Sequence, residues 1–177
     1  MTLRKLILNV LMFSSCLFRV EAAQSAADQV FDRLKKLAGE WEGTFEWSQG
    51  RTASGTLKAV YHVTGNGSAL VEDLIMDGVP MMTSVYHLDG LDLRMTHYCA
   101  AKNQPRLKAV NISPSATAID FRFVDVTNAD ASKTGYVNAF RIEFSDINEI
   151  KLRFTFGGGS GTGPIENIVL KRRSPGR

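Results

Sequence analysis

The chain has 177 residues, of which 44% are hydrophobic and 22% are charged, and its formal net charge is +3. Three of the 21 basic residues and one of the 18 acidic residues lie within the first 22, so the remainder carries a net charge of +1. A nucleic-acid-binding protein needs a basic stripe that faces the phosphates. This composition therefore excludes nucleic acid as an expected partner and favours one globular domain.

The first 22 residues have the pattern of a cleaved secretory signal peptide. Arg4 and Lys5 precede an apolar run over residues 6–18, which is too short to cross a bilayer comfortably. Small residues follow, and Ala22 or Ala23 is the predicted cleavage junction. We therefore expect a periplasmic or extracellular protein with no transmembrane segment after cleavage.

One of the two cysteines lies in the predicted leader and the other lies in the domain. Cys16 lies in the leader, and a lipoprotein signal that acylates it is the alternative to simple cleavage. Cys99 is then the one cysteine of residues 23–177, so no disulfide can form within the domain. A domain of this size without a disulfide must be stabilised by its hydrophobic core.

Hydrophobic periodicity predicts one helix, followed only by strands. Residues 28–38 have the period of an amphipathic helix, and Gly39 is the predicted C-terminal cap. The residues on its apolar face are Val30, Phe31, Leu34 and Leu37.

The rest of the chain alternates with period two and contains short turns, which is typical of an antiparallel sheet. The predicted strands cover residues 41–47, 57–63, 69–76, 81–88, 91–99, 106–112, 118–126, 136–145, 149–156 and 165–172. Closing such a sheet removes its exposed edges. We therefore predict an all-β fold, a single up-and-down antiparallel β-barrel of about ten strands with one short N-terminal helix.

The predicted hairpin around Asp89-Gly90 carries several polar side chains on a rigid element. A two-residue turn at these positions predicts the pairs Leu88–Leu91, Tyr86–Leu93, Ser84–Met95 and Met82–His97. These residues share one apolar face with Cys99, and that face is expected to look into the barrel. His97 and Cys99 are thus candidate interior groups, and Tyr86 lies on the same wall. The alternative for His97 is a core histidine that is satisfied by a neighbouring hydroxyl or carbonyl.

Glu72 is a second candidate, because it alternates in phase with Leu70, Leu74 and Met76. A buried carboxylate needs a partner, and His97 or Arg106 is expected to supply it. If a bulge changes the phase of the strand, Asp73 takes the inward place instead.

The segment 103–106 joins two predicted strands at one end of the barrel. Asn103 and Gln104 can hydrogen-bond a ligand there, and Arg106 can hold a carboxylate through two hydrogen bonds. The alternative is a turn that satisfies itself, with Arg106 in solvent.

Two groups of residues resemble a known family. The sequence LAGEWEG at residues 37–43 resembles the Gly-x-Trp opening of lipocalin-like (calycin) barrels. Three further segments resemble a family of secreted bacterial lipocalin-like domains of unknown function: VYHLDG at 85–90, THYC at 96–99 and NQPR at 103–106. The resemblance implies a calycin-type barrel, and it implies no activity.

A more distant likeness is to nitrobindin-type barrels, which also begin with Gly-x-Trp-x-Gly. That likeness implies haem as a possible cofactor, held by a histidine near the C-terminus. The last predicted strand here, residues 165–172, contains no histidine. We otherwise expect no cofactor.

Neither catalysis nor a metal site is predicted. Two residues apart on one strand, His97 and Cys99 have Cα atoms about 6.5–7 Å apart, which is far for the hydrogen bond of a nucleophile–base pair. A metal site needs three or more converging ligands, which the pattern does not supply.

The sequence therefore favours a barrel that binds a small apolar or amphipathic molecule in its interior. The ligand-binding candidates are Glu72, Tyr86, His97, Cys99, Asn103, Gln104 and Arg106. The alternatives are a haem-binding or enzymatic barrel that acts on a reactive small molecule, and a structural or interaction module whose barrel is filled. The oligomeric state is not indicated.

Overall fold

The computed structural model describes residues 23–129, 135–158 and 161–174, with backbone only for Gly158, Gly161 and Thr162. The predicted signal peptide, with its alternative at Cys16, lies outside the described residues. The helix α1 covers Ala26–Lys35, and a 3₁₀ turn covers Gly65–Gly67. The strands are β1 (Gly39–Ser48), β2 (Ser54–Thr64), β3 (Ala69–Met76), β4 (Val79–Asp89), β5 (Asp92–Tyr98), β6 (Gln104–Val110), β7 (Ala118–Thr127), β8 (Tyr136–Phe144), β9 (Glu149–Gly158) and β10 (Gly161–Arg172).

These ten described strands form a closed antiparallel barrel, in which each strand pairs with its neighbours in sequence and β10 pairs back onto β1. The predicted all-β barrel with one short helix is thus confirmed. No helix among the described residues is long and apolar enough to cross a membrane.

The helix begins and ends earlier than the predicted range of residues 28–38. Ser25 caps its start, because the Ser25 hydroxyl accepts from the Asp28 backbone N–H while the Asp28 carboxylate accepts from the Ser25 backbone N–H. The predicted cap at Gly39 is wrong: Lys36 caps the helix, and Gly39 opens β1 with a positive φ of 129°. The apolar face is as predicted, with Val30, Phe31, Leu34 and Leu37 all buried.

Trp41 and Arg172 fasten the helix over one end of the barrel. The Trp41 indole N–H donates to the Leu37 carbonyl at 2.8 Å. The Arg172 guanidinium lies 4.3 Å from the Trp41 ring centroid and donates to the Lys36 and Ala38 carbonyls. The last strand therefore holds the link between α1 and β1. We call this the helix end, and the opposite end, where β1 finishes and β10 begins, the distal end.

The β4–β5 hairpin has the predicted faces but a different register. Asp89 pairs with Asp92, so the turn residues are Gly90 and Leu91, and Gly90 takes the positive φ of 59° that suits the first central position of a two-residue turn. The predicted pairs are wrong by two residues, since Ser84 pairs with His97 rather than with Met95. A shift of two leaves every paired side chain on its predicted face. Leu91 is the exception, because as a turn residue it is exposed.

The interior is largely filled by aromatic side chains. Phe140 lies between Phe121 and Phe154, with ring centroids 5.6 and 4.6 Å away. Tyr86 packs on Phe121 at 5.9 Å. Space for a ligand is therefore expected toward an end of the barrel rather than in its middle.

Candidate functional site

Buried polar side chains concentrate in the middle and distal parts of the barrel. Among the described residues they are Glu72, Ser84, His97, Asn103 and Glu166, each with at most 1% of its surface exposed. The core side chains with the highest exposed fractions are Met82, Phe156 and Trp47, and all three also lie toward the distal end. Solvent thus comes nearest to the core at the end opposite the helix.

Four polar side chains stand side by side across four strands. Tyr61 pairs with Glu72, Glu72 pairs with Ser84, and Ser84 pairs with His97. All four are buried and face inward. We call this row, Tyr61–Glu72–Ser84–His97, the polar rung.

Glu72 faces the interior as predicted, but its partner is a tyrosine. The Tyr86 hydroxyl donates to the Glu72 carboxylate at 2.5 Å. The expected pairing of Glu72 with His97 or Arg106 is wrong. Burial raises the pKa of Glu72 from its ordinary value of 4.5 to about 7, although the hydroxyls of Tyr86 and Tyr61 act in the opposite direction. This carboxyl group is thus poised between its neutral and charged forms at neutral pH.

His97 is held at one nitrogen and free at the other. Its Nδ1 lies 3.0 Å from the Ser84 hydroxyl, while its buried Nε2 has no hydrogen-bond partner among the described residues. Burial lowers the pKa of His97 to about 4, so the ring is neutral at neutral pH. The ring packs at 5.1 Å from that of Phe154. Nε2 is therefore available to hydrogen-bond a ligand.

Asn103 is the one polar residue of the 103–106 segment that is buried. Its side-chain amide donates to the Gly135 carbonyl at 3.3 Å, and its Oδ1 is buried without a partner in the described structure. This loop position at the distal end therefore presents a free acceptor.

Gln104 and Arg106 are occupied elsewhere. The Gln104 side chain donates to the Lys102 carbonyl and accepts from the Thr127 hydroxyl. The Arg106 guanidinium is more than half exposed and binds Asp125 through two hydrogen bonds, of 2.5 and 2.6 Å. The arrangement matches the alternative of a self-satisfied turn with an outward arginine, and it leaves these two residues out of the interior group.

Cys99 is a half-buried free thiol close to Glu166. Burial and the nearby Glu166 charge raise the pKa of the Cys99 thiol. A raised pKa keeps sulfur in the less nucleophilic thiol form. Cys99 therefore lines the distal end as a weakly polar side chain.

Glu166 belongs to this group of polar residues and was not among the sequence candidates. It alternates in phase with the buried Ile168 and Leu170, so its side chain is fully buried, and neither carboxylate oxygen has a partner among the described residues. Burial raises the pKa of Glu166 to about 7, opposed by the charge of Arg51 and by the neighbouring Trp47 indole N–H. The alternation that identified Glu72 applies equally to this strand, which the sequence analysis considered only for a histidine.

No group of three or more potential metal ligands occurs within the part of the chain that the structure describes. The arrangement supplies hydrogen-bonding groups in an apolar wall rather than a metal centre.

Comparisons with known proteins identify the fold. No family model and no curated protein matches the chain. A crystal structure of Rv2717c from M. tuberculosis matches with a TM-score of 0.57 and 16% identity, covering 81% of this chain and 97% of that one. The chain has a lipocalin-like barrel fold. The structure of EF1p2_mFAP2b bound to DFHBI also matches, over 79% of this chain and 96% of that one, but at a TM-score of 0.35 and 10% identity it supports no conclusion.

Proposed function

We propose that this barrel binds a small, largely apolar molecule that carries a polar group, and that it does so at its distal end. The observation that carries the proposal is a set of buried polar atoms there that have no hydrogen bond of regular geometry among the described residues: His97 Nε2, Asn103 Oδ1 and both carboxylate oxygens of Glu166. A buried polar group that lacks a hydrogen bond destabilises a protein by about 1–3 kcal/mol. A bound ligand would supply the missing partners.

Phe154 connects two of these groups. It pairs directly with Glu166 on the neighbouring strand, and its ring packs against that of His97. His97 and Glu166 therefore both adjoin one aromatic side chain. Apolar walls with a few polar groups are the usual lining of a small-molecule site.

We propose this function in preference to haem binding. His97 is the one histidine that faces the interior, because His62 and His87 alternate with inward residues of β2 and β4. His97 lies on β5 and packs against Phe154, whereas the nitrobindin-type likeness places the haem histidine near the C-terminus. The described residues of the last strand contain no histidine. An absorbance spectrum of the purified protein tests this, since a Soret band would support haem.

We also propose that the protein acts in the periplasm or outside the cell. The leader pattern of the first 22 residues supports this proposal.

Native mass spectrometry of protein purified from an exporting bacterial host tests the binding proposal. We expect an added mass of a few hundred daltons that is lost on denaturation, and one-site binding of a neutral environment-sensitive dye such as Nile red. Protein that carries no added mass and binds no such dye would instead support a structural module with a filled barrel.

A further inference from the structure

We propose that Trp47 and Glu166 form a site for the cationic group, ammonium or guanidinium, of an organic ligand. This inference rests on the proposed function and specifies the class of molecule bound. It would make the protein a receptor for amphipathic cations rather than for neutral lipids or fatty acids.

The two side chains are held side by side by the sheet. Trp47 on β1 pairs directly with Glu166 on β10, and both are buried on the inward face. Phe156 packs on Trp47 with ring centroids 5.0 Å apart. A buried carboxylate thus lies beside two aromatic rings at the distal end.

The aromatic face already holds a cation. The Arg51 guanidinium lies 3.9 Å from the centroid of the Trp47 ring. The side chain of Arg51 reaches this position from the β1–β2 loop, where Gln49 and Gly50 both have positive φ. A delocalised cation over an indole ring is attracted by the negative charge of the ring face. Trp47 therefore already makes a cation–π contact with a guanidinium group of the chain itself.

Arg51 does not neutralise Glu166 by direct contact. The charge of Arg51 and the neighbouring Trp47 indole N–H both act on the carboxylate, but neither oxygen has a hydrogen bond of regular geometry among the described residues. Arg51 is itself exposed and belongs to a surface loop. A ligand cation that entered between the ring and the carboxylate could displace it.

The chemistry of Glu166 favours a cation over other ligands. A carboxylate removed from water requires a charged or strongly hydrogen-bonding partner. A neutral apolar ligand would leave both oxygens unsatisfied, and an anionic ligand would be repelled. An ammonium or guanidinium group would satisfy the carboxylate and occupy the Trp47 face with the same charge.

Competition between probes of equal chain length tests the proposal. Nile red bound to the barrel is displaced with decyltrimethylammonium, 1-decanol or decyl sulfate, each below its micelle concentration. We expect the cation to bind about tenfold or more tightly than the alcohol, and the sulfate to bind least. A quaternary ammonium is used because its charge does not change with pH.

Two pairs of variants assign the preference to these residues. Glu166→Gln should remove the advantage of the cation over the alcohol, while Glu46→Gln, which neutralises an exposed glutamate of β1, should keep it. Arg51→Ala should tighten decyltrimethylammonium binding by about threefold or more, because the competing cation is lost. Arg153→Ala, which removes an exposed arginine of β9, should have no effect.

The outcomes separate the two proposals. If Nile red and decanol bind but the cation has no advantage, the cation site is wrong and the binding function stands. If a cation preference survives in Glu166→Gln, the site lies elsewhere. If tryptophan fluorescence and dye titration detect no binding of any probe, both proposals are wrong.

Discussion

Ser84 and His97 face each other across the β4–β5 ladder, and the Ser84 hydroxyl lies 3.0 Å from His97 Nδ1. This contact fixes the plane of the imidazole and leaves Nε2 as its free nitrogen. Because His97 is neutral at neutral pH, a Ser84 hydroxyl that donates to Nδ1 places the ring proton on Nε2. His97 can then donate a hydrogen bond to a ligand acceptor.

The first prediction concerns this nitrogen. His97→Phe keeps an aromatic ring against Phe154 but removes both ring nitrogens, so Nile red, which has a carbonyl acceptor, should bind about tenfold more weakly. Fluorescence titration measures the affinity. His62→Phe, on the exposed side of β2, should bind the dye like the wild type. A His97→Phe protein with a lowered melting temperature and unchanged affinity would show that His97 is only a core residue.

The second prediction concerns the close approach of β1 and β10 at Gly43. A Cβ atom built on Gly43 would lie 1.8 Å from the Val169 carbonyl oxygen, so the two strands would have to separate. Gly43→Ala should therefore lower the free energy of unfolding by about 1–3 kcal/mol. Urea unfolding followed by circular dichroism measures the change.

Gly135→Ala is the control, since the nearest described atom to a Cβ there would be the Gly157 carbonyl oxygen, at 3.7 Å. It should change stability by less than about 0.5 kcal/mol. If the two variants unfold at the same urea concentration, Gly43 is not required by the packing of β1 on β10.

The sequence predicted the strands and their inward faces because alternation with period two survives in almost every strand. It did not predict the register of the β4–β5 hairpin, because a slip of two residues leaves the alternation unchanged. The turn decides the register: Gly90 rather than Asp89 takes the first central position. Pattern alone thus places His97 inside but cannot say that Ser84 is its partner.

The candidate site was only partly predictable for a related reason. Glu72 was identified because it alternates in phase with buried apolar residues, and Glu166 does the same on β10. The hydrogen-bond partner of a polar side chain, in contrast, is set by contacts between strands that are distant in sequence. The Arg106–Asp125 pair, for example, lies next to a β-bulge that shifts the β6–β7 register. No local pattern reports such a bulge.

The third prediction concerns export. Expressed with its leader in an exporting bacterial host, the protein should begin at or next to Ala22 or Ala23, as N-terminal sequencing or intact mass would show. Cys16→Ser should be processed at the same place. A mature chain that retains residues 1–20 would contradict the prediction. An acylated Cys16, with processing lost in Cys16→Ser, would establish the lipoprotein alternative.

The fourth prediction concerns the pH dependence of stability that Glu72 produces. Its pKa is raised from 4.5 to about 7 in the folded protein, chiefly by burial. Between these pH values the unfolded chain has released the proton while the folded protein still holds it. The contribution of Glu72 to the free energy of unfolding therefore falls as the pH rises through this interval. The total fall is about 3 kcal/mol, and the contribution is constant above about pH 7.

Glu72→Gln isolates this contribution, because glutamine keeps an acceptor for the Tyr86 hydroxyl and does not titrate. Relative to the wild type, the variant should gain about 3 kcal/mol of stability between pH 4.5 and pH 7, as measured by urea unfolding at each pH. The titrations of His97 and Glu166 occur in both proteins and largely cancel in the difference. Glu46→Gln, at an exposed position of β1, should show a constant difference. A constant difference for Glu72→Gln as well would mean that Glu72 remains charged in the folded barrel.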